Sequence, residues 1–265
     1  MTTPLLPAAG LYAAQTLGVV VGRKPTTTWR AIALLMLAAT LSACGGGGGG
    51  AGSQTYPLRT ALDSLTRAGS AFQLTATGTS ATSTADGDCS GTMNETDGAA
   101  TIPATFNGKP GWSSDIIASL HFSNCTPADV TASETDYFDS NYLPLGAVVG
   151  GGKYGIYLTP PVVPETVAVG STGVIGTLSL FTDSTQATPA GHADRTYVIE
   201  ADSATTAIAN SISKVYDAFG TLTSTSQVRY RIDTKGKLSI VSQDIVQVGT
   251  SSSTHLVFRC AQSSC

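Results

Sequence analysis

The chain has 265 residues, of which 42% are hydrophobic, 12% charged and 7% aromatic, and its formal net charge is −4. The charged fraction is about half of the roughly 25% found in an average soluble domain. A net charge this small excludes a charged disordered tail and gives no basic footprint for nucleic acid. The composition also excludes a long coiled coil, which is rich in Glu, Lys, Leu and Arg.

The N-terminal segment has the pattern of a secretory signal. Three basic residues between positions 23 and 30 precede an apolar run over 31–43. A positive region followed by an apolar run of about 7–15 residues is typical of a signal peptide. The run rises only about 20 Å as a helix, which is too short for a hydrocarbon core of roughly 30 Å. Residues 1–18 carry no charge, which favours a translation start near 19–21.

The end of the apolar run carries a specific motif. Leu41-Ser42-Ala43-Cys44, followed by six glycines, resembles the lipobox of bacterial lipoprotein precursors. The resemblance implies that a diacylglycerol is attached to the Cys44 thiol, that a peptidase cuts before Cys44, and that the new amino group is acylated. The alternative is an ordinary signal peptide with an incidental cysteine.

The lipobox also implies a location and a partner. In the sorting rule of that family, Asp after the cysteine retains a lipoprotein in the inner membrane, so Gly45 points to the outer membrane. The partner is then the lipid bilayer, bound through acylated Cys44, with the protein on the periplasmic or the surface face. Two or more acyl chains give stable anchoring without a membrane-spanning helix.

The chain therefore divides into three parts. We expect a signal peptide over 1–43, a lipidated cysteine with a Gly-rich tether over 44–53, and a single β-rich domain over 54–265. As a random coil, the nine tether residues have a reach of about 17 Å.

The β-rich domain begins with a predicted helix over 57–68. Its apolar residues recur at i, i+3, i+4 and i+7, which is the spacing of one helical face. We expect Asp63 to pair with Arg67 and Gly69 to end the helix. The residues of the apolar face are Leu58, Ala61, Leu62 and Leu65.

Beyond this helix the hydrophobic period changes to two, which is typical of β-strands. The fold class that we predict is mainly β: an antiparallel meander that forms a sandwich or an open half-barrel, with one short N-terminal helix. The sequence D-x-x-G-x-L occurs at 217–222 and again at 233–238, and predicts two hairpin turns. Residues 204–216 fit a helix or a strand, with strand favoured. The predicted strands are 71–79, 116–122, 178–181, 197–199, 228–232, 238–241, 245–248 and 256–258.

Four cysteines remain beside Cys44, and an oxidising compartment favours disulfides between them. Three pairings are possible, of which we favour Cys89–Cys125 and Cys260–Cys265 because the second pair is close in sequence. A zinc site is the alternative, although the spacing contains no C-x-x-C.

One polar and aromatic stretch, residues 134–142, is a candidate ligand site. Asp136, Asp139 and Asn141 present oxygens of the kind that Ca²⁺ binds. Tyr137 and Tyr142 present rings that stack on a sugar or a peptide. The alternative is a solvated loop whose aromatic rings pack on the sheet. The sequence indicates no other cofactor.

The sequence contains no familiar catalytic motif, such as G-x-S-x-G, H-E-x-x-H or a P-loop. Its three histidines are far apart in the chain. The sequence therefore favours a lipid-anchored envelope protein with a binding or structural role, whose protein or small-molecule partner it does not identify. The alternatives are a lipid-anchored periplasmic hydrolase and a lipid carrier or chaperone with an apolar concave sheet.

Overall fold

The computed structural model describes residues 54–80, 89–123, 129–149, 152–248 and 253–260. The signal peptide, Cys44, the tether, Cys125 and Cys265 lie outside these ranges. Within them the chain forms one helix and fifteen strands.

The first half of the domain contains the helix and eight strands: β1 Thr55–Tyr56, α1 Leu58–Ala68, β2 Ser70–Ser80, β3 Cys89–Asp97, β4 Ile102–Phe106, β5 Lys109–Phe122, β6 Asp129–Asp139, β7 Pro144–Val149 and β8 Lys153–Tyr157. The second half contains seven strands: β9 Val167–Ala168, β10 Thr172–Phe181, β11 Pro189–Ala201, β12 Thr206–Asp217, β13 Leu222–Asp233, β14 Leu238–Val248 and β15 Ser253–Cys260.

Twelve of these strands form a closed antiparallel barrel in which almost every strand pairs with its neighbours in the chain. The last strand, β15, closes the barrel by pairing with β2, from Thr254↔Ser80 to Cys260↔Leu74. The predictions of a mainly β fold and an antiparallel meander are confirmed. The prediction of a sandwich or an open half-barrel is wrong, because this pairing removes the two edges that an open sheet would leave.

Three strands lie outside the ring. Strand β4 pairs only with β5, in a hairpin that folds over the outer wall, where Phe106 stacks on Tyr137 and Tyr154. Strands β1 and β9 form a separate two-stranded sheet.

Closure gives every barrel strand one face toward the lumen and one toward the outside, since side chains alternate along a strand. In β5 the inward side chains Ile116, Ala118, Leu120 and Phe122 are buried, whereas the residues between them are exposed. The lumen holds two separate apolar clusters, a large one that includes α1 and a smaller one formed by β7, β8 and β10–β12.

Helix α1 covers one end of the barrel, which we call the helix end. Its apolar residues Leu58, Ala61 and Leu62 join the large cluster, as the spacing predicts. The Ala100 amide donates to the Thr66 carbonyl at 2.9 Å, so the β3–β4 loop lies at the same end. The opposite end, which carries the β10–β11 and β12–β13 turns, we call the far end.

No helix among the described residues has the length and apolar character to cross a bilayer.

One detail of the helix differs from the prediction. Asp63 pairs with Arg59, at 2.8 Å between Oδ1 and Nε, and not with Arg67. Arg67 lies 3.9 Å over the ring of Tyr142 instead, because the β6–β7 turn brings that aromatic face to the helix end. Gly69 follows the helix and donates its amide to the Leu65 carbonyl, as expected.

Both D-x-x-G-x-L segments form the predicted hairpin turns. Asp217 accepts bonds at Oδ1 from the amides of Phe219 and Thr221, and Gly220 has φ 79°. Asp233 and Gly236 repeat this arrangement, with φ 82° at the glycine. The left-handed glycine conformation is the one that the bulge of such a turn requires.

Because α1 packs into the end of the barrel, we predict that truncating its core-facing leucine causes a large loss of folding stability. We expect Leu62→Ala, at a position that is 3% exposed, to lower the free energy of unfolding by about 2–5 kcal/mol, because it leaves a cavity. Urea denaturation followed by circular dichroism measures this change.

The matched control is Ser64→Ala, on the solvent face of the same helix, which should change the unfolding free energy by less than about 0.5 kcal/mol. Equal effects of the two substitutions would show that α1 does not pack into the barrel.

Candidate binding site in the barrel lumen

A layer of polar side chains crosses the otherwise apolar lumen. It includes four carboxyl groups and one arginine, all carried on inward positions of barrel strands. We call this set the polar belt; its members are Glu95, Asp97, Glu134, Asp136, Tyr157, Arg195, Ser211, Ser213, Tyr230 and Gln243.

The first pair of acids lies on β3. Glu95 and Asp97 are two residues apart, so both point to the same face of the strand. Ser70 donates its hydroxyl to Asp97 Oδ2 at 2.6 Å, whereas both oxygens of Glu95 are buried without a donor among the described residues. Burial, followed by the nearby Asp97 charge, raises the pKa of Glu95 well above its ordinary value. A protonated Glu95 can then donate to Asp97.

The second pair lies on β6, where Glu134 and Asp136 repeat the same arrangement. Both side chains are buried, and a hydrogen bond joins them. Burial raises the pKa of Asp136 to about 6, although the bond from Glu134 and the charge of Arg195 oppose this shift. Arg195 enters from β11 on another part of the wall and is 2% exposed.

Neutral polar groups on β8, β12, β13 and β14 complete the belt. The hydroxyls of Tyr157 and Tyr230 and both amide atoms of Gln243 are buried without a hydrogen-bond partner among the described residues. Burial, together with the nearby Asp97 and Glu95, raises the pKa of Tyr230 well above its ordinary value, so this phenol stays protonated. Buried groups of this kind are satisfied by ordered water or by a ligand.

The chemistry of the belt follows from its charge balance. Four carboxyls face one arginine, so the lumen tolerates burial of these acids by keeping protons on some of them. Such a site can share protons, hold water and bind a small polar molecule. No group of three or more His, Cys, Asp or Glu side chains is placed to hold a metal ion in the described ranges.

The structure distributes the five residues of the predicted ligand site over three places. Asp136 faces the lumen, and Tyr137 faces outward and stacks on Phe106. Asp139 accepts bonds from the amides of Asn141 and Leu143 and so shapes the β6–β7 turn. Tyr142 stacks against Trp112 beneath Arg67. Residues 134–139 are therefore part of a strand and not a loop, and calcium binding there stays a prediction.

Sequence reasoning missed most of the belt, although a signal was present. The tripeptide Glu-Thr-Asp occurs at 95–97 and again at 134–136. In both copies the acids face the lumen and the threonine faces outward. Strand β5 lies between the two copies and pairs antiparallel with each, so β3 and β6 run in the same direction.

The histidines lie on the outer wall, each beside an aspartate. His121 Nδ1 is 2.6 Å from Asp129 Oδ1, and His255 Nε2 is 2.9 Å from Asp244 Oδ1. His192 stacks on Tyr216. These contacts join neighbouring strands, which is a structural role.

Of the four cysteines beside Cys44, the structure describes Cys89 and Cys260. Cys260 is disulfide-bonded, whereas its pairing with Cys265 stays a prediction because Cys265 lies outside the described residues. Next to Cys89, the Ser90 carbonyl accepts a bond from the Ser123 amide at 2.8 Å. Cys125 lies outside the described residues, so its pairing with Cys89 also stays a prediction.

Comparison of the chain with protein-family models, with curated proteins and with solved structures finds no match.

The raised pKa values predict that ionisation of the belt opposes folding. In the pH window between the ordinary value of 4.5 and its raised value, Glu95 holds a proton in the folded state that it loses on unfolding. Its contribution to stability is therefore full below that window and falls as pH rises, by at most about 1.4 kcal/mol per pH unit. We expect Glu95→Gln to match the wild type at pH 4, to be more stable at pH 8, and to have a shallower slope between them in urea denaturation.

Glu165→Gln makes the same chemical change on an exposed loop and serves as the control. Parallel stability curves for Glu95→Gln and the wild type would contradict the assigned protonation of the belt.

The favoured disulfides predict a simple peptide map. Digestion of the mature, non-reduced protein with a protease that cleaves after Asp and Glu should give one linked peptide pair that contains Cys89 and Cys125, and a single peptide in which Cys260 and Cys265 are joined, as read by mass spectrometry. A link between Cys125 and Cys260 would refute this connectivity.

Proposed function

We propose that this protein is a lipid-anchored envelope protein whose barrel is a non-enzymatic binding or structural module. Acylated Cys44 holds it to the outer membrane, and the barrel stands in water on the periplasmic or the surface face. The lipobox in the sequence and the polarity of the barrel wall both support this proposal.

The single observation that carries the proposal is the polarity of the two faces of the wall. Apart from the apolar cluster that the β4–β5 hairpin covers, outward positions carry hydrogen-bonded polar pairs between neighbouring strands, whereas inward positions are mainly apolar. A barrel embedded in lipid has the reverse arrangement, with an apolar band outside. This wall suits water, so the contact with the bilayer is assigned to the lipid on Cys44. Examples of the outward pairs are Gln73–Asn94, Asp115–Thr135 and Thr177–Asp194.

A hydrolase is less well supported by the geometry. The carboxyls of Glu95, Glu134 and Asp136 are 1%, 4% and 3% exposed, so a glycan or peptide chain does not reach them. Glu200 and Asp202, two carboxyls nearer the surface on one face of the end of β11, are engaged in ion pairs: Glu200 with Arg229 at 3.5 Å, and Asp202 with Arg231 at 2.8 Å.

A lipid carrier is also less well supported. Such a protein needs an apolar cavity large enough for acyl chains, whereas in the described part of the barrel the ionisable side chains of the polar belt cross the lumen. A small apolar recess does lie between α1 and the wall, lined by Leu58, Leu62, Val163, Pro164, Ile175 and Tyr197.

Metabolic labelling tests the anchor directly. We expect labelled palmitate to enter the wild-type protein and to be lost completely in Cys44→Ser, because the variant lacks the thiol that accepts the lipid. Fractionation should show the wild type in the outer membrane and the variant outside that fraction.

Ser42→Ala is the matched control, since it keeps a small residue before the cysteine and should label like the wild type. A wild-type protein that takes up no palmitate and retains residues 1–43 would refute the proposal.

A further inference from the structure

A concentration of exposed aliphatic side chains stands out on the barrel. Leu158, Val162, Val169 and Val174 are 69%, 66%, 49% and 69% exposed. All four belong to residues 158–174, which link β8 to the first part of β10 and contain one charged residue, Glu165. We call these four side chains the apolar rim. Exposed apolar patches on an otherwise polar surface mark contact sites.

The apolar rim lies at the helix end of the barrel. The Glu165 carbonyl accepts a 3.4 Å bond from the Arg59 amide of α1, and the Val162 amide donates to the Ile175 carbonyl at 2.7 Å. These bonds tie the segment to the helix on one side and to β10 on the other. Val162 is thereby held beside the start of β10, where Val174 is exposed.

The rim also adjoins the point at which the tether enters the barrel. Strand β1 pairs with β9 through Thr55↔Ala168 and Tyr56↔Val167. Continuing this antiparallel register by one residue places Gln54 opposite Val169. Gln54 directly follows the tether over 45–53, whose reach is about 17 Å. Since only residues 45–53 separate Gln54 from Cys44, a lipid on Cys44 would enter the bilayer near the rim.

We propose that the apolar rim contacts the boundary between the headgroups and acyl chains of the bilayer in which the Cys44 lipid is inserted. This inference rests on the lipidation proposed above. The rim and the lipid then hold the barrel in one orientation, with the helix end toward the membrane and the far end toward water. Because the segment carries a single charge, the contact comes from burial of apolar side chains, and salt does not weaken it.

Tryptophan quenching by brominated lipid tests the orientation. The full-length lipoproteins Val162→Trp and Phe219→Trp are purified with their lipid and placed in phosphatidylcholine vesicles, with and without brominated acyl chains. Phe219, at 94% exposure in the β12–β13 turn, is the far-end control. We expect brominated acyl chains to lower the tryptophan emission of Val162→Trp about two-fold, measured against the effect of bromine on the unvaried protein. The decrease should be the same at low and at high salt. The emission of Phe219→Trp should not change.

Val174→Trp repeats the test at a second rim position, in case the first variant folds poorly. Equal quenching of rim and far-end variants, or no quenching at either rim position, overturns the rim contact. Rim emission that depends on protein concentration and not on bromine also overturns it, in favour of a second copy of the chain. Measuring the intact mass of the purified protein separates the two proposals. A mass without acyl chains refutes both the anchor and the rim contact. An acylated protein that shows no quenching refutes the rim contact alone.

Discussion

Closure of the sheet by pairing of β2 with β15 is the constraint on which the rest of the structure depends. An open sheet lets a polar side chain turn toward solvent from either face, whereas a closed barrel separates the two faces completely. Every inward residue must therefore be satisfied within the lumen. For most strands the solution is an apolar side chain, as in β5. For β3 and β6 it is a pair of acids, and these strands give the barrel its chemical character.

Buried acids are compatible with this lumen because they share protons. An isolated buried carboxylate is strongly unfavourable, so burial shifts the equilibrium toward the neutral form, which is also a hydrogen-bond donor. Each strand supplies its own partner, since Glu95 lies beside Asp97 and Glu134 beside Asp136. Arg195, the one basic member of the belt, opposes the rise in the pKa of Asp136. The belt is thus a network in which proton count, water and any small polar ligand are linked.

The sequence predicted the fold where local pattern and burial agree, and it failed where they do not. Apolar residues at every second position correctly indicated β5, β13 and β15, and Asp and Gly in D-x-x-G-x-L correctly indicated two turns. Strand β6 was missed because its inward positions carry carboxylates. Apolar and polar residues therefore do not alternate there, and the segment resembles a polar loop. Closure was missed because pairing of the first barrel strand with the last leaves no local signal. Asp136 was named as a calcium ligand, yet it bonds to Glu134 on its own strand and lies near the charge of Arg195, which β11 supplies from another part of the wall.

The helix end and the far end have different consequences for function. At the helix end the tether leads into β1, β1 pairs with β9, and α1 follows directly and packs into the lumen. A pull on the tether therefore acts on a segment held by both a strand pairing and a buried helix face. In the proposed orientation this sealed end meets the membrane. The far end, with its hairpin turns, then faces water, so a soluble partner meets that end and the polar outer wall first.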